Sequence, residues 1–224
     1  MSTIVIIPAA GVGKRFNATF PKQFLKINGK EIILHTLIKF QKAKNVDEII
    51  ISTRKEFIEK LWKLVKKNRL NKVTNIVLGG KERQDSVYAA LNSKTFDDKD
   101  LICVHDAVRP FITSEDIDNL IEFAKKKSSV IAASKAVDTV KTGKMIVEQT
   151  LDRNRIWLVQ TPQIFRYKIL KKAFEKAYNE NFYGTDEASL VERIGRKIYF
   201  YQLNCENRKI TLKQDFNFAK KMLK

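Results

Sequence analysis

The sequence predicts an α/β protein: a mostly parallel sheet with helices on both faces and a β-arm projecting from it. Three observations carry this. Short apolar runs of strand length alternate with segments whose apolar residues recur at helical spacing. Such βαβα alternation belongs to parallel sheets with a helix in each crossover. The alternation breaks once, between about 134 and 165, where two short strand-like runs flank Thr142-Gly143.

Residues 3–7, "TIVII", are the first predicted strand, and their unbroken apolar run suits burial on both faces. Ile32, Ile33, Leu37, Ile38 and Phe40 predict a helix, and residues 48–52, "EIIIS", a second strand. Phe57, Ile58, Leu61, Trp62 and Val65 give the next helix, and 73–78, "VTNIVL", the next strand. Val87, Ala90 and Leu91 precede a strand at 101–104, "LICV"; Ile117, Leu120, Ile121 and Ala124 precede one at 130–133, "VIAA".

The stretch "SKAVDTVKTGKMIVEQTL" then reads as a hairpin, an arm at about 135–151. Helical patterns return near 166–178 and 186–194, followed by a strand in "KIYFYQL" and a helix beginning near Lys213. Trp62, Ile194 and the stripe Tyr199-Phe200-Tyr201 read as core. With no linker, repeat or low-complexity stretch, residues 1–224 read as one Rossmann-like domain with an arm. Ligands in such sheets bind beyond the carboxyl ends of the strands.

Bulk properties narrow the function. At 44% hydrophobic and 30% charged residues the composition is that of a globular protein. No apolar run approaches the ~20 residues of a membrane helix, and "MSTIVIIPAAG" lacks the basic start of a signal peptide. Cys103 and Cys205 are far apart, which indicates neither a zinc site nor a disulfide framework and fits a reducing cytosol. The net charge of +18 raises a nucleic-acid reading. The lysines are spread along helical polar faces, however, and no nucleic-acid-binding signature accompanies them. The expectation is attraction for small polyanions, without specific nucleic-acid binding.

The first strand runs into "IPAAGVGKRFNATFPKQFL". This is not a Walker A loop, because Gly13-Lys14 is followed by Arg15 and no earlier glycine has the required spacing. It is not a dinucleotide fingerprint either: Phe16 occupies the third glycine position, and the second strand ends in Ser52-Thr53-Arg54 without an acidic residue. What remains is a Gly-Val-Gly turn with Lys14, Arg15 and, further on, Lys22. Glycines let backbone N–H groups approach phosphate oxygens, and the cations neutralise charge.

Four further segments extend this pattern: "GGKERQDSV" at 79–87, "VHDAVRPF" at 104–111, "VDTVK" at 137–141 and "LDRNRIWLVQTPQIF" at 151–165. Together with "PAAGVGKR…PKQ" and a late "TDEAS…NRKIT", they resemble the 2-C-methyl-D-erythritol 4-phosphate cytidylyltransferase family of isoprenoid biosynthesis. Ribitol-5-phosphate cytidylyltransferase is a close relative. Lys141 and Trp157 look more like the methylerythritol enzyme. A non-catalytic nucleic-acid-binding module on the same fold is the alternative of another class.

The resemblance implies that the phosphate of the alcohol attacks the α-phosphorus of CTP and expels pyrophosphate. A phosphate monoester, with its second pKa near ~6, is largely dianionic at neutral pH and needs no general base. The two histidines, His35 and His105, form no cluster that would supply one. Fixed cations and a metal ion are the appropriate catalysts. By resemblance Arg15, Lys22, Lys209 and Lys14 are the catalytic cations. Ala9, Ala10, Gly11, Gly13, Gly80, Ser86, Asp106 and Ala107 are expected to bind the nucleotide, and Asp106, just past the strand "LICV", is the expected Mg²⁺ ligand. The alcohol phosphate falls to Asp138, Thr139, Arg109, Arg153, Thr161 and Thr185, the last also placed for a helix cap. His105 is expected to be a structural hydrogen-bonder. Lys81 departs from an acidic residue common at its position. The resemblance also implies a homodimer with interlocked arms.

Overall fold

The computed structural model describes residues 1–11 and 20–223. Gly13, Lys14 and Arg15 lie outside the described residues. The strands are β1 (Thr3–Pro8), β2 (Lys26–Ile27), β3 (Lys30–Glu31), β4 (Glu48–Thr53), β5 (Val73–Leu78), β6 (Leu101–Val104), β7 (Ser129–Lys135), β8 (Val140–Gly143), β9 (Val147–Leu151), β10 (Trp157–Arg166) and β11 (Tyr199–Gln202). The helices are α1 (Ile32–Lys42), α2 (Lys55–Lys67), α3 (Arg83–Leu91), α4 (Ser114–Lys127), α5 (Tyr167–Asn179), α6 (Glu187–Arg193) and α7 (Lys213–Met222).

The central sheet has seven strands in the order β11-β7-β10-β6-β1-β4-β5. β1 pairs parallel with β4 and β6, and β4 with β5; within this sheet β10 runs antiparallel to both of its neighbours. The period of two in a strand sorts the apolar runs into two cores. Val5, Ile7, Ile49, Ile51, Leu101 and Cys103 face α1, α2 and α4. Ile4, Ile6, Ile50, Ile102 and Val104 face α3, α5 and α6. These strands are buried on both sides, which is why they read as continuous apolar runs.

After β1 the chain turns to β4 on one side, and after β6 it passes through α4 to β7 on the other. The sheet therefore has its topological switch between β1 and β6, with a crevice beyond their carboxyl ends. A smaller cluster of Ile27, Ile32, Val108, Ile210, Ala219 and Leu223 seats α7 beside that crevice.

Three features depart from expectation. β10 was not foreseen, because Pro162 and the polar Gln160, Thr161 and Gln163 argue against a central strand. A register shift between Val159 and Gln163 accommodates the proline. The arm is a separate two-stranded sheet of β8 and β9, but its turn lies beyond Gly143, which ends β8 in a bulge with φ of 136°. Tyr199 and Phe200 are not core: they are 38% and 46% exposed on the edge strand, whereas Tyr201, Trp62 and Ile194 pack against the cores.

Candidate active site

The crevice is a cleft of about 420 Å³, lined at the end of β1 by Ala9, Ala10 and Gly11. Lys22 and Gln23 form another part of its wall, Gly80, Arg83 and Ser86 a third, and Asp106, Ala107 and Lys209 a fourth. Eleven of the predicted site residues thus meet in or beside one cleft once Arg109 and Thr161, bonded to Asp106, are added.

Each wall is held by a local bond. Gln23, buried in the 3-10 turn Lys22–Phe24, donates to the Ala9 carbonyl at 2.6 Å and the Gly11 carbonyl at 3.0 Å. It ties the turn carrying Lys22 to the loop after β1. The Phe24 and Phe57 rings, 4.5 Å apart and stacked, seat the same turn on α2. Ser86 accepts from the Gly80 amide at 3.2 Å and donates to the Glu82 carbonyl at 3.1 Å, which folds the glycine loop onto the start of α3. A Cβ on Gly79 would stand 2.8 Å from Ala10 Cβ and from Ser86 Oγ, so glycine is required there by close approach. Among the described residues, a Cβ on Gly11 would meet no atom within 4 Å.

Asp106 is the electrostatic centre. Its amide donates to Thr161 Oγ1 at 3.1 Å. Arg83 Nε donates to Oδ1 at 3.2 Å; Lys209 Nζ, at 2.9 Å, and Arg109 Nε, at 3.4 Å, lie on Oδ2. Burial alone would push this carboxyl up, but Arg83, Lys209 and Arg109 hold it well below the usual carboxylate range. Burial lowers the Arg109 guanidinium, with Asp106 acting against it. For Arg83 burial acts downward too, but Glu187 and Asp106 outweigh it and its guanidinium is raised.

His105, fully buried, has one ring nitrogen 3.1 Å from the Arg109 carbonyl and the other 3.3 Å from Thr161 Oγ1. Burial lowers its imidazole to about 4, so it is neutral near pH 7. Asn207 donates to the Thr161 carbonyl at 2.6 Å and accepts from Arg109 Nη1 on its own carbonyl at 2.8 Å.

The other predicted residues among those described lie elsewhere in this chain. Asp138, Thr139 and Arg153 are exposed at the root of the arm, where Arg153 Nη1 donates to the Val137 carbonyl at 2.8 Å. Thr185 is exposed, and the cap of α6 is Asp186, which accepts from the Ser189 amide. Lys81 is exposed on the cleft wall. Sequence reasoning did not single out Gln23, Arg83, Glu187 or Asn207. "PKQ" and "ERQDS" were quoted as motifs, but nothing local marks which of their residues turn inward.

The cleft therefore combines close backbone approach, cations around one carboxylate and a neutral histidine, an arrangement suited to holding and polarising a polyphosphate. Residues 3–224 match the family model described as 2-C-methyl-D-erythritol 4-phosphate cytidylyltransferase. The chain is similar to the curated protein of that name from Clostridioides difficile (strain 630), 41% identical over 224 residues, covering 98% of this chain and 92% of the relative. Its namesake from Syntrophus aciditrophicus (strain SB) is 39% identical over 224 residues, covering 99% and 95%. The crystal structure of the Francisella tularensis enzyme superposes with a TM-score of 0.81 at 36% identity, covering 100% of both chains. From its sequence, its sheet topology and these relatives, the chain belongs to the 2-C-methyl-D-erythritol 4-phosphate cytidylyltransferase family.

Proposed function

We propose that this protein transfers the cytidylyl group of CTP to 2-C-methyl-D-erythritol 4-phosphate in isoprenoid precursor synthesis, releasing pyrophosphate. The observation that carries the reading is the convergence of Lys22, Lys209 and Arg83 with Asp106 on one cleft at the switch point of the sheet. A phosphate oxygen of the alcohol forms a bond to the α-phosphorus of CTP; the bond from that phosphorus to the bridging oxygen breaks and pyrophosphate leaves with the electron pair. No proton is abstracted, which fits a cleft whose histidine is buried and neutral. Lys22 and Lys209 stabilise charge on the α-phosphate and leaving group, with Lys14 and Arg15 assigned to the same task by family resemblance. The turn Ala9–Gly11 and the Gly80–Ser86 wall receive cytosine and ribose.

The donor set fits Mg²⁺ held chiefly by the nucleotide. Asp106 would offer one hard oxygen once Lys209 turns from it to the phosphates, and among the described residues no three His, Cys, Asp or Glu side chains gather into a cage. Mg²⁺ commonly takes one or two carboxylates together with substrate phosphates. When bound it neutralises triphosphate charge. The alcohol phosphate is assigned to Arg109 and Thr161 of one protomer and to Asp138, Thr139 and Arg153 of a partner's arm, with Thr185 beside them. Among the described residues no helix is long and apolar enough to cross a membrane, and the working compartment proposed is the cytosol.

Pyrophosphate release from CTP is the test, with methylerythritol phosphate and ribitol phosphate offered in separate reactions. Release with the first and little with the second is expected. Release with ribitol phosphate alone overturns the choice of alcohol. Release with neither, alongside strongly salt-dependent binding to long nucleic acid, favours the binding-module alternative.

A further inference from the structure

Arg83 opens α3 and lines the cleft, and its guanidinium meets two carboxylates at once. Nε is 3.2 Å from Asp106 Oδ1, while Nη1 and Nη2 donate to the two oxygens of Glu187 at 2.7 and 3.0 Å. Glu187 lies in the first turn of α6 with only 2% of its side chain exposed. A fork-to-fork pair of this kind fixes the plane of the guanidinium as well as its position. Arg109, on the other side of Asp106, has a second anchor in the Asn207 carbonyl. Lys209 differs from both arginines: it reaches Asp106 with a point charge on a flexible stem, one-third exposed beside the cleft.

We infer that Arg83 is a positioning residue for the transfer: Glu187 locks it against Asp106, so Asp106 keeps its place when Lys209 leaves it for the phosphates of the nucleotide. This rests on the reaction proposed above. Asp106 has two tasks that conflict. It pairs with Lys209, and once that cation turns to the phosphates its charge must be balanced by others if it is not to repel the triphosphate. A cation that cannot follow the phosphates resolves the conflict. The arginine whose fork is held by a buried glutamate on another helix meets that description. Glu187 is two residues beyond Thr185, so the same fork also fixes the loop assigned to the alcohol phosphate relative to the nucleotide cleft.

The test is a mutant cycle on the full-length protein, using Glu187→Gln, Arg83→Lys, Asp106→Asn and the doubles with Asp106→Asn. The readouts are kcat and KM, CTP dissociation by calorimetry, and thermal unfolding. Glu187→Gln and Arg83→Lys should each lower kcat roughly tenfold to a hundredfold, the scale seen when the support of a primary group is removed. Lysine keeps the charge and loses the fork, so CTP affinity should stay within about threefold; in the Asp106→Asn background either change should cost at most about twofold, because its action passes through Asp106. Independent, multiplying losses in the double variants overturn the inference. So does unchanged kcat in Arg83→Lys, or a loss of activity that only follows melting temperature. If Glu187→Gln does not fold, Arg83→Lys completes the same cycle. Failure of the reaction itself reads differently: the unmutated protein then releases no pyrophosphate, and the inference falls with it.

Discussion

Lys209 Nζ stands 2.9 Å from Asp106 Oδ2, so the cation assigned to the α-phosphate and the carboxylate assigned to the metal form an ion pair. Binding a triphosphate must redistribute this pair. Charge at the α-phosphate grows mainly in the transition state, so a cation aimed there contributes to rate more than to affinity. Lys22→Ala and Lys209→Ala should each lower kcat on the order of a hundredfold or more, with a much smaller change in CTP dissociation. Steady-state kinetics beside calorimetry checks this. Unchanged kcat with a raised KM alone rejects the assignment.

Asp106 carries the second prediction. With its carboxyl held well below the usual range, it stays ionised throughout the working pH range. Asp106→Asn removes the charge that gathers Arg83, Arg109 and Lys209 and should lower kcat on the order of a hundredfold. Chelator should abolish activity, and added Mg²⁺ should restore it in the unmutated protein. Full activity in chelator, or in Asp106→Asn, rejects the metal-ligand role.

A third prediction concerns acid. The folded His105 pKa, lowered by burial to about 4, lies below its ordinary value of 6.5. Neutral His105 therefore contributes its full stability above about pH 6.5. As pH falls, the unfolded chain takes up the proton first, and stability is lost towards pH 4 by on the order of 3 kcal/mol. His105→Gln should flatten that slope in urea unfolding measured at pH 7.5 and 4.5. Some slope remains, because burial lowers His35 as well. An undiminished slope in the variant means that His105 is not the source.

Much of this fold was legible because its central strands are buried on both faces. β1, β4 and β6 are bare apolar runs, and no other element suits such short segments. β10 escaped because its polar residues serve the site: Thr161 bonds the Asp106 amide, and Gln163 bonds the Ala188 amide and Asp186. Strand rules fail where a strand carries chemistry. The Asn28-Gly29 turn between β2 and β3, with φ of 49° and 80°, did have a hairpin signal in the sequence. In the cleft, the residues legible by motif were those in the quoted segments. Arg83 and Glu187 are 104 positions apart, and their pairing exists only once α3 and α6 share a face of the sheet. Gln23 likewise acquires its task only when the turn Lys22–Phe24 folds back on Ala9.

The arm supplies the last prediction. An isolated two-stranded hairpin is marginal in water, and this one presents Val137, Met145, Ile146 and Val147 at 81%, 98%, 81% and 61% exposure. Thr139 and Arg153 sit at its root and do not line the cleft of their own chain. Both facts are accounted for if two copies exchange arms, each completing the other's site, while Lys22 serves its own. Lys22→Ala and Thr139→Ala proteins should then each be inactive and should complement one another when mixed. In a mixed dimer one site receives both defects and the other receives neither. Random pairing makes about half the dimers mixed, so roughly a quarter of wild-type activity should return in a two-fold assembly. Subunit exchange must be followed separately, for example by mass spectrometry of a tagged copy. Exchange without recovered activity means that each chain completes its own site and the arm has a structural task alone.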